Sequence, residues 1–206
     1  MSQRLAIFGG TFNPIHRGHV TVLAAAVLNL QLDRVLVMPT AVPPHKSNPD
    51  LAAGVDRLAM CRLALTDFPA AEISDLELRR QGPSYTIDTV RQVRRLAPEA
   101  ELFLIVGADM LRDFHLWRQF GEILEEARLI TLPRPGVELG RLPELRAALG
   151  DEAVEKILAD VQTTPLVDVS STEIRARLTA GREIDDLVPP VVAEYIREHG
   201  LYQLSV

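Results

Sequence analysis

The stretch Leu5-Ala6-Ile7-Phe8-Gly9-Gly10-Thr11-Phe12-Asn13-Pro14-Ile15-His16-Arg17-Gly18-His19 decides how this chain is read. Leu5 to Phe8 is a short apolar run, the pattern of a strand buried on both faces, and Gly9-Gly10 ends it. From His19 onward, Val20, Leu23, Ala24, Val27 and Leu28 recur at the spacing of an amphipathic helix. Arg34-Val35-Leu36-Val37-Met38 reads as a second buried strand, stopped by Pro39. Strand, glycine-rich loop, helix and strand in so short a span make a βαβ unit, whose crossover is expected to be right-handed.

The alternation continues outward from this unit. Helical spacing predicts helices over about 55–65 and 86–96, with a weak strand near Glu72 to Leu76. Leu102 to Val106 is the most strand-like run and Gly107 closes it, while Arg128 to Leu132 is a further strand ending at Pro133. This order predicts an α/β fold, a doubly wound parallel sheet of Rossmann-like type. Ligands of such sheets sit at the carboxyl ends of the strands, where Gly9-Gly10 and Gly107 lie.

Three segments read as loops: Pro39 to Pro49, rich in proline, Pro133 to Pro143, and the polar stretch around Arg182 to Asp186. Ser170 with Glu173 forms a capping-box pattern ahead of Ile174, Arg175 and Leu178, with Gly181 as the stop. Pro190 to His199 predicts a last amphipathic helix, halted by Gly200. Residues 1–206 thus read as one domain, with about 165–206 forming a small C-terminal helical part.

Composition narrows the function. A net charge of −6 lacks the basic excess of a nucleic-acid-binding surface, although a few cations suffice for a phosphorylated small molecule. No apolar run approaches the roughly 18 residues that span a bilayer, and the start of the chain lacks the pattern of a signal peptide. Cys61, the single cysteine, can form no internal disulfide and reads as a small buried hydrophobe, which points to a reducing cytoplasm. No dedicated carboxylate cluster for a metal is visible, and the sequence leaves monomer and homo-oligomer equally open.

The loop after the first strand carries the chemistry. Glycines let a phosphate approach the backbone, and the free N–H groups of a first helical turn attract anions. His16 and His19 are spaced i, i+3 and share a helix face, so two imidazoles can donate to phosphate oxygens as charge develops on them.

The same stretch resembles the first signature of the H-x-G-H nucleotidyltransferase superfamily, and Ser170-Ser171-Thr172-Glu173-Ile174-Arg175 resembles its second, S-S-T-x-I-R. Over nearly the whole chain the closer resemblance is to bacterial nicotinate-nucleotide adenylyltransferases. Pro43-Pro44-His45-Lys46, Pro83-Ser84-Tyr85-Thr86, Gly107-Ala108-Asp109, Trp117-Arg118, Val188-Pro189 and the ending through Tyr195, Gly200, Leu201 and Tyr202 carry it. The resemblance implies transfer of AMP from ATP to nicotinate mononucleotide, with Mg²⁺ arriving on the ATP.

It also implies roles. His16, His19, Lys46 and Arg175 would serve the reacting phosphates, with Gly9, Gly10, Thr11, Phe12, Gly18, Gly107, Asp109, Ser171 and Thr172 around ATP. Asn13, Lys46, Thr86, Trp117 and Arg118 would meet the second nucleotide. Asp109 could instead be a helix N-cap, and Trp117 a core residue. The family often has an aromatic residue where this chain has Arg118. Nicotinamide mononucleotide or phosphopantetheine as acceptor, and a non-catalytic nucleotide sensor, are the alternatives. A tRNA-synthetase-like enzyme fits poorly with the acidic charge and short chain.

Overall fold

The computed structural model describes residues 2–41 and 50–203. Strands β1 (Arg4–Gly10), β2 (Arg34–Pro39), β3 (Ala71–Ile73), β4 (Glu101–Gly107) and β5 (Arg128–Leu132) form one sheet in the order β3-β2-β1-β4-β5. Every pairing is parallel. Helices α1 (Arg17–Leu30), α2 (Gly54–Ala64), α3 (Thr86–Leu96), α4 (Ala108–Arg112), α5 (Phe120–Glu126), α6 (Pro143–Leu149), α7 (Asp151–Ala159), α8 (Ser171–Thr179) and α9 (Pro190–Glu198) flank it. The expected doubly wound α/β sheet is the observed one.

The strands read as unbroken apolar runs because both faces are covered. Ala6, Phe8, Val35, Val37, Phe103, Ile105 and Ile130 point to one side, into a core with Leu23, Met60, Ile174, Val192 and Ile196 of α1, α2, α8 and α9. Their neighbours Leu5, Ile7, Leu36, Leu102, Leu104 and Leu129 point the other way, against Val90, Leu111, Ile123, Leu145 and Val154 of α3 to α7. The C-terminal helices therefore share the sheet's own core. Cys61 lies in it fully buried, and burial pushes its thiol up to about 12, which leaves it inert as a nucleophile at neutral pH.

Two sequence expectations shift. The weak strand expected near Glu72 to Leu76 is Ala71–Ile73, set by pairing with Val35 to Val37 rather than by its own residues. At α8 the Ser170 hydroxyl accepts from the Glu173 N–H as expected, but the Glu173 carboxylate turns to Arg177. Helices α4 to α7 have no counterpart in the sequence reading; α6 starts from Leu142, whose side chain makes no capping bond, and α7 from Gly150, which has no side chain to offer one. Among the described residues no helix is long and apolar enough to cross a membrane.

The strand order places the functional crevice. The chain leaves β1 towards β2 on one side and later returns to β4 on the other. Loops after β1 and β4 therefore diverge and leave a cleft at their carboxyl ends.

Candidate active site

The loop from Gly10 to His16 rims this cleft, and the glycines at 10 and 18 are needed for space. A Cβ on Gly10 would stand 2.9 Å from the Phe12 ring, and one on Gly18 would stand 3.0 Å from the His16 ring. At Gly9 a Cβ would meet nothing within 4 Å, so the backbone there faces open space. Phe12 takes the left-handed region at φ 45°, an uncommon state for a non-glycine residue, and its buried ring packs edge-on to Phe8 and His19.

His16 and His19 form a reciprocal capping box at the start of α1. The His19 N–H donates to His16 Nδ1 at 3.4 Å, and the His16 N–H donates to His19 Nδ1 at 3.3 Å, with the rings stacked 3.7 Å apart. An Nδ1 that accepts carries no proton, so each neutral ring holds its proton on Nε2 as a donor. Burial first, then the charge of Arg134, pushes His16 from 6.5 down to about 4. His19 lies well below its ordinary value, through burial, then His16 and Arg134. Both are neutral hydrogen-bond donors at pH 7.

This has a consequence for stability. In the unfolded chain His16 takes a proton near its ordinary value of 6.5, whereas the folded chain refuses it until about 4. The contribution is fully present above 6.5 and declines as pH falls towards 4, because the unfolded state then binds more protons. Thermal melts are expected to show a lower Tm at pH 5 than at pH 7.5, and a smaller drop in His16→Asn, which keeps a capping acceptor. An equal drop in that variant would place the acid sensitivity elsewhere.

Across the cleft, β4 delivers Asp109 and β5 delivers Arg134. Arg134 Nη1 donates to Asp109 Oδ2 at 2.9 Å. Asp109 Oδ1 is buried and has no hydrogen-bond partner among the described residues, so one acceptor remains for a ligand donor. A Cβ at Gly107 would lie 2.5 Å from that oxygen. Gly107, not Asp109, occupies the N-cap of α4, so the capping alternative for Asp109 does not hold. The sequence reading missed Arg134 because Pro133-Arg134-Pro135-Gly136 reads as an ordinary turn; its position two residues past a strand terminus was the available signal.

The two signature segments meet directly. Ser171 Oγ donates to the Pro14 carbonyl at 2.9 Å, and Arg175 Nη1 donates to the Asn13 carbonyl at 2.9 Å. Ser171 thus spends its hydroxyl on the loop, whereas Thr172 is exposed at the start of α8. Thr172 and Arg175 line a cavity of about 640 Å³ with Asp50, Thr179 and Tyr202. Asn13, expected against the second nucleotide, has its side chain turned into the protein. Its Oδ1 accepts from the Ala52 N–H at 3.0 Å and the Tyr202 hydroxyl at 2.9 Å, and its Nδ2 donates to the Asp50 carbonyl at 2.9 Å.

Trp117 and Arg118, in the segment that follows β4 and α4, form a second group with the start of α3 at Thr86. Arg118 lies 4.8 Å over the ring of Tyr85, which immediately precedes α3 and Thr86. Trp117 is half-buried, 5.2 Å from the Phe114 ring, and so combines a packed edge with an open one. The nearby Ser84 hydroxyl is buried without a hydrogen-bond partner among the described residues. Lys46 lies outside the described residues. Among those described, no cluster of His, Cys, Asp or Glu is placed to hold a metal ion.

A sequence profile described as cytidylyltransferase-like matches residues 7–177, so the chain belongs to that family and is a nucleotidyltransferase. A Thermus thermophilus protein described as a probable nicotinate-nucleotide adenylyltransferase is 42% identical over 201 residues, covering 98% of this chain and 100% of the relative. One from Synechococcus with the same description is 40% identical over 97% of this chain and 95% of its own length. Within the wider family, the chain is a member of the nicotinate-nucleotide adenylyltransferases. A solved Plasmodium falciparum nicotinic acid mononucleotide adenylyltransferase complexed with NaAD is 22% identical, covers 97% of both chains and shares the fold at a TM-score of 0.76.

Proposed function

We propose that the protein transfers the adenylyl group of ATP to nicotinate mononucleotide, giving deamido-NAD and pyrophosphate in NAD biosynthesis. The observation that carries this reading is the contact of the two signatures: Ser171 and Arg175 of α8 hold the Pro14 and Asn13 carbonyls of the loop that leads into His16-Arg17-Gly18-His19, at one cleft. Family membership over the full chain supports the acceptor.

The acceptor's phosphate attacks the α-phosphorus of ATP in line, and the bond to the pyrophosphate breaks. The attacking oxygen is already anionic, so no side chain has to remove a proton. Catalysis rests on positioning two polyanions and on stabilising charge as it moves to the leaving group. In this reading, His16 and His19 donate from Nε2 to phosphate oxygens. Lys46, Arg134 and Arg175 supply permanent charge, Lys46 as a point and the arginines as forks. The free Oδ1 of Asp109 suits a ribose hydroxyl. Gly9 and Thr11 would give the phosphates a close backbone approach, with Thr172 at the helix start. Trp117 would stack on the pyridine ring, with Thr86 and the backbone at 117–118 around its carboxylate. Mg²⁺ would enter on the triphosphate, held by phosphates and water. The single, buried Cys61 suits a reducing cytoplasm.

The test is pyrophosphate release from MgATP with three acceptors side by side. Nicotinate mononucleotide is expected to give the highest kcat/KM. A higher value with nicotinamide mononucleotide or phosphopantetheine would reassign the acceptor, and no release with any of them would leave the sensor reading.

A further inference from the structure

Arg57 on α2 is one of the largest fully buried side chains in the molecule, at 1% exposure. Its described partners are all carbonyl oxygens, not carboxylates. Nε donates to Ala52 at 3.0 Å, Nη1 to Thr11 at 2.9 Å and to Thr40 at 2.7 Å, and Nη2 to Ala41 at 3.4 Å. Burial works against its charged form. An apolar residue of similar volume could fill the space but would leave these four carbonyls without this donor. What an apolar residue cannot do is fix the direction of carbonyls.

Those carbonyls belong to the segments that leave β1, leave β2 and enter α2. The Thr11–Phe12 peptide is not cis, so pulling the Thr11 carbonyl inwards sends the Phe12 N–H away from the core. An outward N–H beside Gly10 and His19 is what a phosphate needs. The same Nη1 holds Thr40, whose own N–H donates to the Gly10 carbonyl at 2.9 Å. The fork thus closes a ring that joins both loops at the edge of the cleft.

We propose that Arg57 is a positioning residue for phosphate transfer, setting from within the core the peptide directions of the loop that carries His16 and His19. The proposal rests on the adenylyltransferase reading of the site. Lysine would keep the charge but lose the fork, and glutamine would keep donors without the charge.

R57K and R57Q are to be compared with the native protein well below each variant's own melting temperature. Steady-state kinetics and backbone amide exchange followed by mass spectrometry are the readouts. In R57K, kcat is expected to fall by about 10–100-fold, the cost of a slight misplacement at the reacting centre, with acceptor KM changed by less than about threefold. Exchange in residues 10–16 is expected to rise about tenfold or more, while residues 101–107 of β4 stay unchanged. Native kcat with a lowered Tm alone, an unchanged exchange rate in the loop, or failure of both variants to fold would each overturn the proposal. If the native protein itself releases no pyrophosphate, the functional reading falls, and loop exchange then decides for or against Arg57.

Discussion

Replacing His19 by alanine is expected to lower turnover by about 10²–10³-fold, the usual effect of removing one donor that acts on a developing charge. Its Nδ1 is occupied by the His16 N–H, so the ring has a single orientation and a single neutral tautomer. Phe8 and Phe12 enclose it, and Arg134 adds a field that opposes its protonation. The donor is therefore preorganised and need not be ordered during the reaction. The fold should survive, because losing the return bond of the capping box costs about 0.5–1.5 kcal/mol. Steady-state assays at saturating substrates, paired with thermal melts, separate the two effects. Native-like turnover in a folded His19→Ala protein would remove His19 from the reaction.

Phe103→Ala is expected to do the opposite: a large loss of stability with kcat per folded molecule retained. Phe103 is fully buried on β4, which lies between β1 and β5, and the Arg4 guanidinium sits 4.8 Å above its ring. Removing a buried phenyl ring costs about 3–5 kcal/mol, through lost transfer energy and the cavity left behind. For a chain of this size that corresponds to a Tm lower by roughly 10 °C. The residue pairs with Arg128 at the amino end of β5, whereas the cleft opens at the carboxyl ends. Calorimetry gives the first quantity, and kinetics below the transition gives the second. A Tm within a degree or two of native would mean that the neighbours collapse into the space.

The contrast between these residues shows what could be read from sequence. Phe103 belongs to an apolar run whose length and flanking glycine mark a buried strand, so its burial is a local pattern. His16 and His19 declare themselves through spacing and through glycines that fit a phosphate loop. Their reciprocal bonding was less visible: the capping-box pattern was read at Ser170 and Glu173, where only half of it forms. Helix caps normally come from hydroxyl and carboxylate side chains, and imidazoles fill the role at α1 only because Gly18 leaves room for the ring.

Arg57, Arg134 and Asn13 mark the limit. Arg57 sits in an amphipathic stretch where a charge reads as a solvated face, and nothing local announces carbonyls contributed by three separate segments. Arg134 lies in a proline-flanked turn, and Asp109 meets it only because β4 and β5 are neighbours. Asn13 looks available in the loop, but Tyr202, near the opposite end of the chain, claims its side chain.

By itself the sequence determined the class of fold, the succession of the main strands along the chain and the family, since each follows from contiguous residues whose spacing or motif is legible locally. The tertiary structure alone decided which charges face the cleft and which are spent inside the protein. Hydrogen bonds and desolvation act over a few ångströms in space, and the groups they couple here are separated by much of the chain.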